Sequence, residues 1–103
     1  MEIIRAGHEY ALKDFESGEH IQELAFINKK PKEEGSTELV TVHPGTTNED
    51  VLEVLINRCE YLYRKFPSNE TKQAILHMKL ALENLESRTK NRVKRGVEGK
   101  YLK

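Results

Sequence analysis

The chain has 103 residues, in which 17 Lys plus Arg balance 17 Asp plus Glu for a net charge of zero. That length predicts a single small domain with a modest core, and the balance excludes a nucleic-acid or membrane partner recruited by bulk charge. Cys59 is the one cysteine, so a disulfide framework is excluded and a reducing cytoplasm fits best.

Residues 1–45 read as a small β element. Met1 to Arg5 lacks the apolar centre of a signal peptide, and no apolar run in the chain approaches membrane-spanning length. His8 to Phe15 suits a short strand ended by the turn signal Ser17-Gly18. Ile21 to Ile27 is a second candidate strand, although its residues also suit a helical turn. Lys29 to Ser36, with Pro31 and Gly35, reads as a polar loop. Glu38 to His43 is the clearest strand, rich in β-branched residues and stopped by Pro44-Gly45. Strands this short need helices or another subunit to pack on.

Two helices follow. Thr46-Thr47-Asn48-Glu49-Asp50 is a helix start, hydroxyl caps followed by acids in the first turn. Leu52, Leu55, Cys59, Leu62 and Phe66 step alternately by three and four along one face, and Pro67 ends the helix. Ser68 or Asn69 can cap the second helix. A link this short makes the two helices antiparallel neighbours. The second helix carries Ala74, Met78, Ala81 and Leu85, widened by Ile75 and Leu82, and Gly96 supplies a stop.

Continued by threes and fours, that stripe runs into Arg88, Thr89, Arg92 and Arg95. From Glu86 onward Arg88, Lys90, Arg92, Lys94, Arg95, Lys100 and Lys103 stand against Glu86 and Glu98 alone. Basic residues in a last helical turn complement the macrodipole, and a solvated basic end is one reading. Helix lengths suggest another. Folded back at Ser68, the second helix outruns the first, and its basic face is expected beside Thr46 and Thr47 at a helix N-terminus. Free N–H groups there, with guanidiniums alongside, suit a phosphate. Arg92→Ala is then expected to weaken anion binding and to leave fold stability almost unchanged.

Other chemistry finds less support. His8, His20, His43 and His77 show no metal spacing with one another or with Cys59. No Ser, Thr or Cys has the setting of an activated nucleophile. Gly96-Val97-Glu98-Gly99 follows a helix instead of opening one, so it is no dinucleotide fingerprint. Tyr61 and Tyr63 suit packing or an interface better than base stacking. An enzyme is not expected, nor a cofactor or metal.

The runs Thr46 to Arg58, Lys65-Phe66-Pro67, Ala81 to Thr89 and Arg95-Gly96-Val97-Glu98-Gly99 together resemble one family. It is the phage helical-hairpin family of anti-Thoeris and anti-CBASS sponge proteins. The Arg-Thr-x-x-Arg-x-x-Arg-Gly-Val-Glu-Gly run from Arg88 is the most specific part, and the first forty residues match more loosely. The chain departs from the family pattern at Ser68-Asn69-Glu70-Thr71, at Lys79 to Leu85, and at Gly99-Lys100-Tyr101. The resemblance implies a non-enzymatic protein of the host bacterial cytoplasm. Such proteins capture a cyclic nucleotide immune signal, a cyclic ADP-ribose isomer or a cyclic oligonucleotide, in pockets between subunits of dimers or hexamers.

The fold expected is α+β in a single domain over residues 1–103: a small N-terminal antiparallel β element over 1–45, an antiparallel two-helix hairpin over 46–99, and a tail over 100–103. One stripe per helix leaves apolar surface over, so a homo-oligomer with a dimer as the minimum unit is expected. Arg88, Thr89, Arg92 and Arg95, with Thr46 and Thr47, are the expected phosphate ligands. A structural or protein-binding phage adaptor, its basic tail docked on an acidic partner, is the alternative. Weak nucleic-acid binding by the tail stands behind both.

Overall fold

The computed structural model describes residues 1–96, 98 and 100–102. Strands β1 (Glu2–Arg5), β2 (Glu9–Lys13) and β3 (His20–Ala25) form an antiparallel meander in that order. Strands β4 (Asn28–Pro31) and β5 (Leu39–His43) form a separate antiparallel ribbon. Helices α1 (Asn48–Lys65) and α2 (Asn69–Lys94) complete an α+β chain. It divides into two compact units, Met1–Thr47 with Lys100 and Tyr101, and Asn48–Glu98 with Leu102.

In the first unit the turns do what their residues suggest. Asp14 and Ser17 close the β2–β3 connection: the Ser17 N–H donates to Asp14 Oδ2 at 2.9 Å and the Gly18 N–H to the Asp14 carbonyl at 2.9 Å. Tyr10 pairs with Leu24 across the meander, and its ring meets Phe26 edge-on with centroids 5.9 Å apart. Ala11, on the opposite face of β2, is buried. Phe26 and Thr46 form a parallel bridge that ties the end of β3 to the segment after β5: Thr46 N–H donates to Ala25 at 2.8 Å and Ile27 N–H to Thr46 at 2.9 Å.

Two strand expectations change. Glu2–Arg5 is a strand although nothing in its four residues alternates, because Glu2, Ile3 and Arg5 each find a ladder partner on β2. Lys29 to Pro31, the start of the polar loop expected from Lys29 to Ser36, belong instead to β4, with the loop confined to the residues after Pro31. A two-stranded ribbon wet on its faces needs ladder hydrogen bonds more than apolar alternation, and Pro31 stands at the strand's end where its missing N–H costs least.

The hairpin begins and ends as its caps dictate. Ser68 has extended backbone, φ −145° and ψ 151°, and its Oγ accepts the Thr71 N–H at 3.1 Å. Glu49 and Asp50 occupy the first turn of α1. At the far end Gly96 takes φ +73°, the left-handed conformation that a helix stop favours.

The faces that meet are only partly the ones the periodicity singled out: Ile75, Met78, Leu82 and Leu85 of α2 and Leu52 and Cys59 of α1 turn inward as expected, and the rest of the expected stripes does not. On α2 the residues that lose exposure are Thr71, Ile75, Met78, Leu82, Leu85, Thr89 and Arg92. They recur by fours and threes, the 3.5-residue rhythm of a coiled-coil seam. On α1 the matching set is Leu52, Ile56, Cys59 and Tyr63. Leu55, Leu62 and Phe66, expected inside, are 45%, 36% and 77% exposed, and Ala74 and Ala81 on α2 are exposed too. Both stripes of α1 are regular at helical spacing. The two-way choice is settled by which one α2 can match with branched and long side chains, and Ile75, Met78, Leu82 and Leu85 all lie on the seam facing the first.

Candidate functional site

α2 has 26 residues against 18 in α1, so its C-terminal turns extend past the start of its partner by roughly 12 Å. The basic run lies there. Arg88 and Arg95 are exposed, Thr89 is half-buried, and Arg92 is buried at 8% exposure. Four of the six expected ligands are therefore gathered on the last turns of one helix. Thr46 and Thr47 belong to the first unit, where the backbone of Thr46 is engaged by Ala25 and Ile27.

Arg92 differs from its neighbours. Its Nε donates to Glu98 Oε2 at 3.0 Å, and its Nη1 donates to the Leu102 carbonyl. A buried guanidinium needs a counter-charge and acceptors for its fork of donors. This one finds both within its own chain. The anion that meets the basic stripe at Arg92 is Glu98. Arg88 and Arg95 remain the outward cations of the run. Arg95 also caps the helix, its N–H donating to the Asn91 carbonyl at 3.0 Å.

Glu98 and Leu102 were not among the expected site residues. Their signal is faint in the sequence, since an acid two residues past a helix stop reads as loop. The left-handed turn at Gly96 is what brings Glu98 back onto Arg92. Within the Arg-Gly-Val-Glu-Gly run, Val97 and Gly99 lie outside the described residues, as does Lys103 in the tail.

The two tyrosines sit at the other end of the hairpin. Tyr61 is exposed, with Lys65 Nζ 4.6 Å from its ring centroid, and Tyr63 is half-buried. Tyr63 helps line a concavity of about 230 Å³ with Arg64, Lys72, Ile75, Leu76 and Glu60. Two cations, an aromatic ring and apolar walls meet there, but Glu60 also faces it and bonds Lys79 at 3.6 Å. Counted along α2, the level of Ile75 is roughly 25 Å from Arg92. The aromatics and the arginine run do not form one site within a hairpin.

Among the described residues no group of three or more His, Cys, Asp or Glu could hold a metal ion, and no helix is long and apolar enough to cross a membrane. Compared with known proteins, the chain matches no family model, no curated protein and no solved structure.

Proposed function

We propose that this protein is a phage anti-defence sponge: it binds a cyclic nucleotide immune signal without cleaving it and so deprives a Thoeris or CBASS effector of its activator. The observation that carries the reading is the cationic end of α2, where Arg88 and Arg95 stand exposed on either side of a guanidinium that Glu98 holds in place. A compact phosphate-bearing ligand suits such a cluster, because guanidinium forks match phosphate oxygens in pairs. The ligand is a cyclic ADP-ribose isomer or a cyclic oligonucleotide, and its site of action is the host cytoplasm.

The proposal includes a homo-oligomer with a dimer as its minimum unit. Leu55, Leu62 and Phe66 form a second apolar stripe on α1 that the hairpin leaves open, and a second hairpin laid against it would bury it as in a four-helix bundle. The same stripe favours the second reading, a phage adaptor that docks a different protein.

Mass spectrometry of small molecules released by denaturing the purified protein separates the two. A cyclic nucleotide released in fixed proportion to protein supports the sponge. An empty protein that also gives no heat on titration with cyclic ADP-ribose isomers and cyclic dinucleotides removes that reading and leaves the adaptor.

A further inference from the structure

β1 is the outer strand of its meander, and all four of its residues are exposed, with Ile3 at 58% and Ile4 at 53%. A strand edge with unpaired N–H and C=O groups and large apolar side chains is a template for another strand. The register of β1 says which one. Glu2 pairs with Ala11 and Arg5 with Glu9, two positions apart on β2, while Ile3 pairs with Tyr10 and Ile4 is the extra residue of a bulge. Glu2 and Arg5 consequently share one face of the sheet. In a regular strand residues three apart point to opposite faces. The bulge removes that obstacle.

We infer that β1 is a self-complementary edge that pairs antiparallel with β1 of a second copy of this chain, making one continuous six-stranded sheet. With the two-fold axis between Ile3 and Ile4, Glu2 stands opposite the partner's Arg5, Arg5 opposite the partner's Glu2, and Ile3 opposite the partner's Ile4. Each cross-strand pair is then opposite in charge or apolar on apolar, and the contact is isologous as a closed dimer requires. Cross-strand pairs lie on the same face, so Glu2 could not meet Arg5 in this way without the bulge. Competition from within the chain is weak: Arg5 approaches Glu9 at 3.8 Å and His20 approaches Glu2 at 3.5 Å, with Arg5 and Glu2 more than half exposed. This pairing uses the β unit and is independent of both the hairpin contact and the ligand proposed above.

Charge reversal tests it on the full chain. Glu2→Arg makes both ionic pairs of the homodimer cation on cation, and Arg5→Glu makes both anion on anion. Each variant alone should weaken the contact about tenfold or more, from the reversal of two cross-strand pairs. At a fixed chain concentration equal to the parent's dissociation constant, sedimentation should show the share of chains in dimers falling from about half to about 15% or less. An equimolar mixture of the two variants restores every pair as opposite charges, so the mass should return to the parent's. Circular dichroism shows whether each variant keeps the parent's fold. A parent whose mass neither variant changes overturns the inference, as does a mixture that stays at the mass of the separate variants.

Discussion

Arg92 and Glu98 form an ion pair across the glycine that ends α2, Nε to Oε2 3.0 Å, with the arginine side chain 9% exposed and the glutamate 41%. The sequence pattern suggested that Arg92→Ala would leave stability almost unchanged, because relief of like-charge repulsion offsets a lost dipole term. A buried guanidinium with a carboxylate and a carbonyl on it changes that expectation. Hydrogen bonds to charged groups contribute about 1.5–3 kcal/mol, and the partial exposure of Glu98 screens part of this. Arg92→Ala should cost the hairpin about 1–2 kcal/mol. A urea titration followed at the helical dichroism band checks it; a midpoint equal to the parent's would mean that the pair contributes nothing.

Gly45 marks a second place where one atom decides. A Cβ there would lie 2.4 Å from the Phe26 carbonyl carbon, 2.6 Å from the Ala25 oxygen and 2.7 Å from the Ile27 nitrogen. These are backbone atoms and cannot swing aside. Gly45→Ala should open the Phe26–Thr46 bridge at a cost of about 1–3 kcal/mol, the range for overpacking. Amide hydrogen exchange reads this directly. Protection at Ile27 and Thr46, the two bridge donors, should fall while the amides of α2 keep theirs.

How much of this was legible beforehand differs by element. The helix limits came through, Asn48 to Phe66 expected and Asn48–Lys65 found, because caps, Pro67 and Gly96 are local signals. The seam did not. Leu52, Leu55, Cys59, Leu62 and Phe66 make as good a stripe as Leu52, Ile56, Cys59 and Tyr63, and only the partner helix distinguishes them. β4 was hidden because Asn28-Lys29-Lys30-Pro31 has no apolar pattern, its strand character coming from β5. In the candidate site the arginines were visible as residues, whereas the burial of Arg92 depends on a chain reversal that carries Glu98 back to it.

The Ser68 cap should be measurable on its own. Its Oγ accepts the Thr71 N–H and donates to Thr71 Oγ1 at 2.9 Å, so Ser68→Ala removes both bonds. Loss of an N-cap costs about 1 kcal/mol. Ser68→Asp should retain most of the stability, since a carboxylate also accepts at that position and suits the helix N-terminus. Equal destabilisation by alanine and aspartate would show that the hydroxyl acts through packing instead.

The Asp14 turn carries a pH signature. The Ser17 N–H, followed by the Ser17 hydroxyl, stabilises the ionised carboxyl and holds Asp14 below the ordinary carboxylate range. A group whose pKa is lower folded than unfolded stabilises the fold above its unfolded pKa and loses that contribution as pH falls through the folded value. The β2–β3 turn should therefore keep this contribution at neutral pH and lose it only under acid conditions stronger than an ordinary aspartate needs. Carbon-detected NMR titration of the Asp14 carboxyl should give a midpoint below those of unbonded carboxylates in the same chain. Asp14→Asn, which retains an acceptor for Ser17, should abolish this part of the pH dependence.

Ligand binding should divide the arginines by role. Arg88 and Arg95 are exposed, so truncating either removes a charge that a phosphate would meet without uncovering a buried partner. Arg88→Ala should weaken capture of the cyclic nucleotide about ten- to a hundredfold, from the loss of one or two charge-assisted hydrogen bonds, and leave the urea midpoint near the parent's. Arg92→Ala should lower both affinity and stability, because its guanidinium also holds Glu98 and the Leu102 carbonyl. Glu98→Gln then distinguishes two ways in which Arg92 can act. If Arg92 bonds the phosphate directly, removing its carboxylate partner frees it and binding should tighten. If Glu98 serves to fix the helix end that presents Arg88 and Arg95, the same change should weaken binding. Calorimetric titration of the four chains with cyclic ADP-ribose isomers and cyclic dinucleotides reads all of this at once, and an Arg88→Ala chain that binds like the parent would move the site off the end of α2.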